Sequence, residues 1–423
     1  MIFPRLKTFA VALGTSGVLT TTLLAQQGIE TRGHQLSFGV NLGFETQSNR
    51  ALDPARPGSS TSATAALSMG LLRQTKTQRL SFDLGGEMRH LDSPTNDDSG
   101  FHNPSIKLSY DRDSANARLS LSGSLRETDL ADEGLVFDET SQEFVFAEGT
   151  ATRRSTRASA QLNWRDDAPL GFGVSASLAE NRYRGGVATG IDGLGLNDTR
   201  RMTIGTSGRL DLNEVSQLNI GLDFSRFEDD GNARDRDTWT LTNALNIERP
   251  NGVFSLNLNV TDTEDGTRVS SAVGRSLDYP LGTLSGQIGA TSSTAGKVYL
   301  TGSLDVLHEL PRGNLTFGIA RNVNSSTLQD TEQVSTSVTF GHFYELNSLS
   351  NLSINARWAE LSRTGGNSDT TSARLVATYS RELTPDWNMN LGVQHRQTHD
   401  ATSGTVRSNG IFLNVERNFV TRF

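Results

Sequence analysis

From about Leu36 to the C-terminus the chain repeats one pattern: roughly ten residues in which apolar and polar side chains alternate, then a break. Leu36, Phe38, Val40, Leu42 and Phe44 alternate with Ser37, Gly39, Asn41, Gly43 and Glu45. Phe254, Leu256, Leu258 and Val260 alternate with Ser255, Asn257, Asn259 and Thr261. A period of two places successive side chains on opposite faces of a strand, so each segment has one apolar and one polar face. No run approaches the eighteen or so apolar residues that a membrane-spanning helix needs.

Twenty such segments can be marked, near 36–46, 63–74, 79–90, 103–111, 117–128, 156–165, 170–183, 200–211, 217–228, 238–248, 254–263, 269–278, 283–291, 297–308, 314–322, 332–344, 349–358, 371–381, 387–396 and 407–423. Ser271 and Arg275 interrupt the apolar face of 269–278, so the expected count is 18–20. The breaks alternate in length. Those after odd-numbered segments are often long, as at 47–62, 91–102, 130–155, 184–199 and 359–370. Those after even-numbered segments are short, as at Thr75–Gln78 and Glu382–Asp386. Short turns on one side and longer loops on the other are the mark of a bacterial outer-membrane barrel. A sheet in lipid must also close on itself, because an open edge would leave backbone groups without partners. The expected fold is therefore all-β: a transmembrane antiparallel up-and-down barrel with short periplasmic turns and longer extracellular loops.

Aromatic positions point the same way. Trp164, Trp239, Trp358 and Trp387 fall at segment ends, in step with the apolar face, as do Tyr110, Tyr344 and Tyr379. They are read as two interfacial girdles. Phe423 ends an amphipathic segment and is read as the signal recognised by the outer-membrane barrel assembly machinery.

The first residues read as an export signal. Arg5 and Lys7 precede a mostly apolar stretch from Phe9 to Val18, and Ala25 offers a small residue at a cut before Gln26. The expected division is a signal peptide over 1–25, a short periplasmic segment over 26–35 and a barrel over 36–423, in the outer membrane of a Gram-negative-type cell. The net charge of −8 becomes more negative without Arg5 and Lys7, which argues against a nucleic-acid partner. With no cysteine there is neither a disulfide framework nor a thiolate metal site.

The opening strand Gly39–Phe44 with its Asn/Asp-bearing loop, the hairpin repeat and the closing Ser408–Phe419 resemble the bacterial outer-membrane β-barrel porins. The nearest group is an uncharacterised one often associated with exopolysaccharide loci. The resemblance implies a channel for diffusion or export of hydrophilic solutes or polysaccharide, in contact with outer-membrane lipid and lipopolysaccharide. The Pro-Glu-Phe-Gly-Gly motif of general trimeric porins is absent.

The polar faces name the expected pore lining: Asp83, Glu87, Arg118, Arg126, Arg157, Arg165, Arg201, Arg209, Asp223, Arg357 and Arg396. Such a wall is wettable, and 18–20 strands enclose an aqueous channel unless something fills it. The longest break, 130–155, carries Asp132, Glu133, Asp138, Glu139, Glu143 and Glu148 and is the expected constriction loop. Acidic clusters at Asn96–Asp98, Asp229–Asp230 and Asp262–Asp265 lack calcium-loop spacing, and the seven histidines are scattered, so no metal or cofactor is expected. No Ser, His and acid constellation suggests a hydrolase. The alternative to a channel is a non-conducting structural or surface-binding barrel, and conductance separates the two.

Overall fold

A computed structural model of the 423-residue chain describes residues 33–423 apart from 53–56, 95–96, 133, 139, 141–142, 166, 187, 190–194, 232–234, 326–331, 364–368 and 401–403. Within 132–149 the only side chain described is that of Thr140. The proposed signal peptide lies outside the described residues.

The alternation is realised as strands throughout. They are β1 (Gly33–Gln47), β2 (Ser60–Gln74), β3 (Gln78–Asp92), β4 (Asp98–Asp113), β5 (Ala117–Asp129), β6 (Gly134–Asp138), β7 (Glu143–Gly149) and β8 (Thr152–Trp164). There follow β9 (Leu170–Arg184), β10 (Ala188–Thr189), β11 (Thr199–Asn213), β12 (Ser216–Asp229), β13 (Arg236–Arg249), β14 (Gly252–Thr263), β15 (Gly266–Tyr279) and β16 (Gly282–Ser292). The last are β17 (Val298–Leu310), β18 (Gly313–Ser325), β19 (Glu332–Asn347), β20 (Ser350–Arg363), β21 (Asp369–Thr384), β22 (Trp387–Asp400) and β23 (Gly404–Arg422). All but β6, β7 and β10 join one 20-stranded sheet in which every neighbour is antiparallel, and β23 pairs back to β1 to close the ring. The count is 20, not 18, because the interrupted segment is strand β15, laddered to both β14 and β16. β6, β7 and β10 form a separate small sheet within the loops.

Closure is sealed at the very end of the chain. His34 and Phe423 exchange both backbone hydrogen bonds at 3.0 Å, and their rings stack with centroids 5.6 Å apart. Beyond this seam Phe38 packs on Phe419 across β1 and β23.

One rim carries only tight turns. Three of them, Pro250-Asn251-Gly252, Pro280-Leu281-Gly282 and Pro311-Arg312-Gly313, share a Pro-x-Gly pattern with a physical reason. Pro fixes the φ needed at the first turn position and needs no donor there. Gly282 has φ +149, and a Cβ on it would lie 1.9 Å from the Leu307 carbonyl oxygen of the next strand. Only glycine lets that backbone approach so closely. The opposite rim carries the longer connections 48–59, 130–151 and 185–198.

The outward face forms an apolar belt. Leu42, Phe44, Ile204, Leu222, Leu258, Ile288, Leu375 and Leu391 are all exposed there. In water this would be an intolerable patch; in hydrocarbon it is the solvated surface. Trp164, Trp387, Tyr110, Tyr344 and Tyr379 lie toward the short-turn rim, and Trp239 and Trp358 toward the other. The rim aromatics are tied locally: Trp164 stacks on Phe172, Phe224 packs on Trp239 at 4.8 Å, and the Arg417 guanidinium lies over Trp387. Tyr279 joins the short-turn set, donating its hydroxyl to the Leu307 carbonyl at 2.9 Å. A closed sheet with an apolar belt between aromatic rims, every strand laddered on both sides, is an integral outer-membrane β-barrel.

Candidate functional site

Strand register decides what faces the lumen. From the strand spacing and a tilt of about 40°, a ring of 20 strands is roughly 40 Å across. Among the expected lining residues, Asp83, Glu87, Arg118, Arg126, Arg157, Arg201, Arg209, Asp223, Arg357 and Arg396 share the inward parity of their strands. Arg165 does not sit on the wall. It lies in the turn after β8 with φ +60, where its amide donates to the Asn116 carbonyl. The alternation runs one residue past the strand end there, and a turn residue has no face to share.

The inward face differs with height. Toward the short-turn side and mid-barrel, Asp83, Lys107, Ser177 and Asp305 are exposed, as a water-filled interior requires. At the extracellular ends many inward polar side chains are buried: Ser62 and Arg89 on neighbouring β2 and β3, Asn181 on β9, Ser225 on β12, Thr291 on β16 and Ser335 on β19. The covered part of the lumen is therefore at its extracellular mouth.

The connection from β5 to β8 crosses that mouth. Its ends are tied together by the Leu130 amide donating to the Ala151 carbonyl at 3.0 Å, with both side chains buried. On one side of the ring Arg396 of β22, 6% exposed, donates through Nη1 to the Ala131 carbonyl at 3.1 Å and to the Arg50 carbonyl at 3.2 Å. On the far side Thr140 is buried. Its carbonyl accepts from Arg201 of β11, and its hydroxyl accepts from Asn181 Nδ2 of β9 at 2.9 Å. β22 and β11 stand nearly opposite each other in the ring. The loop is thus a bar across the opening, with an arginine holding each end. Glu133 and Glu139 lie outside the described residues, as do the side chains of Asp132, Asp138, Glu143 and Glu148.

The first loop also turns inward. Leu52, in a left-handed conformation at φ +52 and 2% exposed, is tucked into the mouth, and the Asn49 amide reaches the Ser408 hydroxyl. Beside it an ion cluster fixes the ends of β3, β4 and β5. The Asp129 carboxylate takes Arg89 and, at 3.6 Å, Arg50. Asp98 takes Arg89 at 3.4 Å and His102 at 3.3 Å. Arg89 is nearly fully buried, so breaking its pairing would strand a charge away from water.

Beneath the bar lies a polar pocket of about 320 Å³, lined by Glu45, Glu87, Arg50, Arg89, Arg374 and Arg396 among others. Its two acids are held by amides. Glu45 accepts from Gln47 at 2.9 Å and from Gln394, and Glu87 accepts from Asn103 at 2.7 Å. Arg50, Arg89 and Arg374 were not among the sequence candidates. Arg374 shares the inward parity of β21, a signal masked because its inward neighbour Val376 is apolar and the outward Ala373 is small. No group of three metal-ligating side chains occurs among the described residues.

No protein-family profile and no curated protein matches the chain. Solved structures do. A ferric enterobactin receptor variant from Pseudomonas aeruginosa in complex with enterobactin aligns over 92% of this chain and 82% of that one, at 10% identity and a TM-score of 0.54. A second variant of that receptor aligns over 92% and 81%, with 10% identity and a TM-score of 0.53. The siderophore receptor PirA of the same organism covers 92% and 81%, at 12% identity and 0.50. At such identities the likeness is one of fold: it supports an outer-membrane β-barrel and carries nothing for the exopolysaccharide-associated porin group.

Proposed function

We propose that the barrel is a gated conduit for hydrophilic solutes across the outer membrane, closed at its extracellular mouth by the 130–151 loop. The observation that carries this is the bar itself, pinned by Arg396 and Arg201 over a wettable lumen. A porin standing permanently open would not bury inward polar side chains such as Arg89, Asn181, Ser225 and Ser335 at its rim. The similar solved structures are named as siderophore receptors, and a barred mouth over a polar pocket suits uptake that waits on a solute. The porin reading survives as the state with the bar displaced. A non-conducting scaffold is the contrary reading.

The test is solute entry into proteoliposomes, comparing sugars of graded size. The intact protein is expected to admit small sugars slowly, and a protein lacking residues 132–148 to admit them several-fold faster. If neither form raises entry above protein-free vesicles, the conduit reading fails and the scaffold reading replaces it.

A further inference from the structure

We propose that the outward face of β11 to β16 is the contact surface for a second copy of this chain, the two barrels meeting at Asn243 about a two-fold axis along the membrane normal. The proposal is independent of whether the barrel conducts.

The case starts from what the belt carries at mid-depth. From β17 round through β1 to β9, the outward residues halfway along the strands are apolar or glycine, as at Leu304, Phe340, Leu375, Leu391, Leu42 and Leu67. Among the described residues the polar exceptions fall in one sector. Thr206 of β11 stands directly opposite Leu222 of β12. Asn243 of β13 stands between Ile220 of β12 and Leu258 of β14, and Leu258 stands opposite Ser271 of β15. Ile220, Leu222 and Leu258 are exposed on the outward face, so register puts all three polar side chains on the lipid face. Arg275 of β15 also faces outward, but it lies near Tyr279 at the short-turn rim, and its long side chain can reach the head groups.

Asn243 is the residue that needs a partner. Among the described residues its side-chain amide has no hydrogen bond. Lipid tails offer neither donor nor acceptor, so an amide held among them without a hydrogen bond is costly. A second copy supplies the missing groups. Two chains inserted in the same direction close a pair by rotation about the membrane normal, which brings each residue to the depth of its counterpart. An amide both donates and accepts, so Asn243 and the Asn243 of the second copy can exchange two hydrogen bonds across the axis.

The shape is self-complementary in the same sense. On one side of Asn243 an open groove of about 540 Å³ is lined by Leu258, Ser271, Ala290 and Leu300. Its floor is low because Ser271 and Ala290, directly opposite each other on β15 and β16, are short. On the other side β12 raises Ile220 and Leu222. A two-fold axis at Asn243 sets the ridge of each copy against the groove of the other.

The experiment combines sedimentation velocity of the full chain in mild detergent with cross-linking in outer membranes by a short bis-maleimide. The chain has no cysteine, so one introduced thiol reports alone. Wild type is expected to sediment as two copies. Leu245→Cys, next below Asn243 on the outward face of β13, should cross-link to a dimer. Leu391→Cys, outward on β22 across the ring, should not. Asn243→Leu should raise the dimer dissociation constant about tenfold and cut the cross-link at position 245 several-fold, while the barrel assembles as well as wild type. Asn243→Gln, which keeps donor and acceptor, should retain the dimer. Asn257→Leu, the same exchange on the lumenal face of β14, should leave it unchanged. A single copy in wild type, or no cross-link at position 245, would mean that lipid fills the groove and overturns the proposal. An assembly larger than two, an undiminished dimer in Asn243→Leu, or failure of that variant to assemble overturns it equally.

Discussion

Leu258→Arg is expected to abolish accumulation of folded barrel in the outer membrane, while Asn257→Arg, one residue earlier, leaves assembly intact. Leu258 is 45% exposed on the outward face of β14, amid Leu256, Val273 and Ile288. An arginine near the bilayer midplane costs about 2–4 kcal/mol on that face. Asn257 lies on the lumenal face between Ala244 and Ala272, where a new guanidinium meets water and two small neighbours. Heat-modifiable migration of the outer-membrane fraction reads both outcomes. Equal loss in the two variants would mean that the parity of β14, and with it the assignment of belt and lumen, is wrong.

The second large effect concerns the bar. Removing residues 132–148 should raise single-channel conductance in planar bilayers several-fold, because the segment that bridges Arg396 and Arg201 is gone. The same deletion takes away Asp132, Glu133, Asp138, Glu139, Glu143 and Glu148. Carboxylates at the entrance to a low-dielectric passage attract cations, so the shortened protein should also lose cation preference. Unchanged conductance would show that the loop does not obstruct the path. Unchanged selectivity alone would show that its acids stand away from the ion path.

Much of this architecture was legible from period-two alternation, because in a membrane barrel the same pattern decides strand, face and solvent at once. Even β15 declared itself, although Ser271 and Arg275 interrupt its outward face; ladders to β14 and β16 outweigh two poor side chains. The mouth was less legible. That the 130–155 segment carries charge is visible in the sequence, but its anchoring is not. The Ala131–Arg396 bond joins residues 265 positions apart, and no local period encodes such a contact. The loop is also shorter at its far end than the alternation suggests: β8 begins at Thr152, so Arg153 and Ser155 belong to the strand and share the inward parity of Arg157. The lumenal arginines of β20 to β22 were half legible. Arg357 and Arg396 follow from strand parity, but that they flank a third arginine, Arg374, depends on pairing register, set by turn lengths and strand stagger rather than by any one strand.

The chain contains no cysteine, which makes thiol accessibility in whole cells the most direct test of a barred, water-filled lumen. Single cysteines at Asn257 and Leu258, each placed in the intact protein and in the form lacking 132–148, would be exposed to a membrane-impermeant thiol reagent added outside. The account predicts slow labelling at position 257 in the intact protein, fast labelling there once the bar is removed, and none at position 258 in either. Equal labelling at 257 with and without the bar, or labelling at 258, would contradict it.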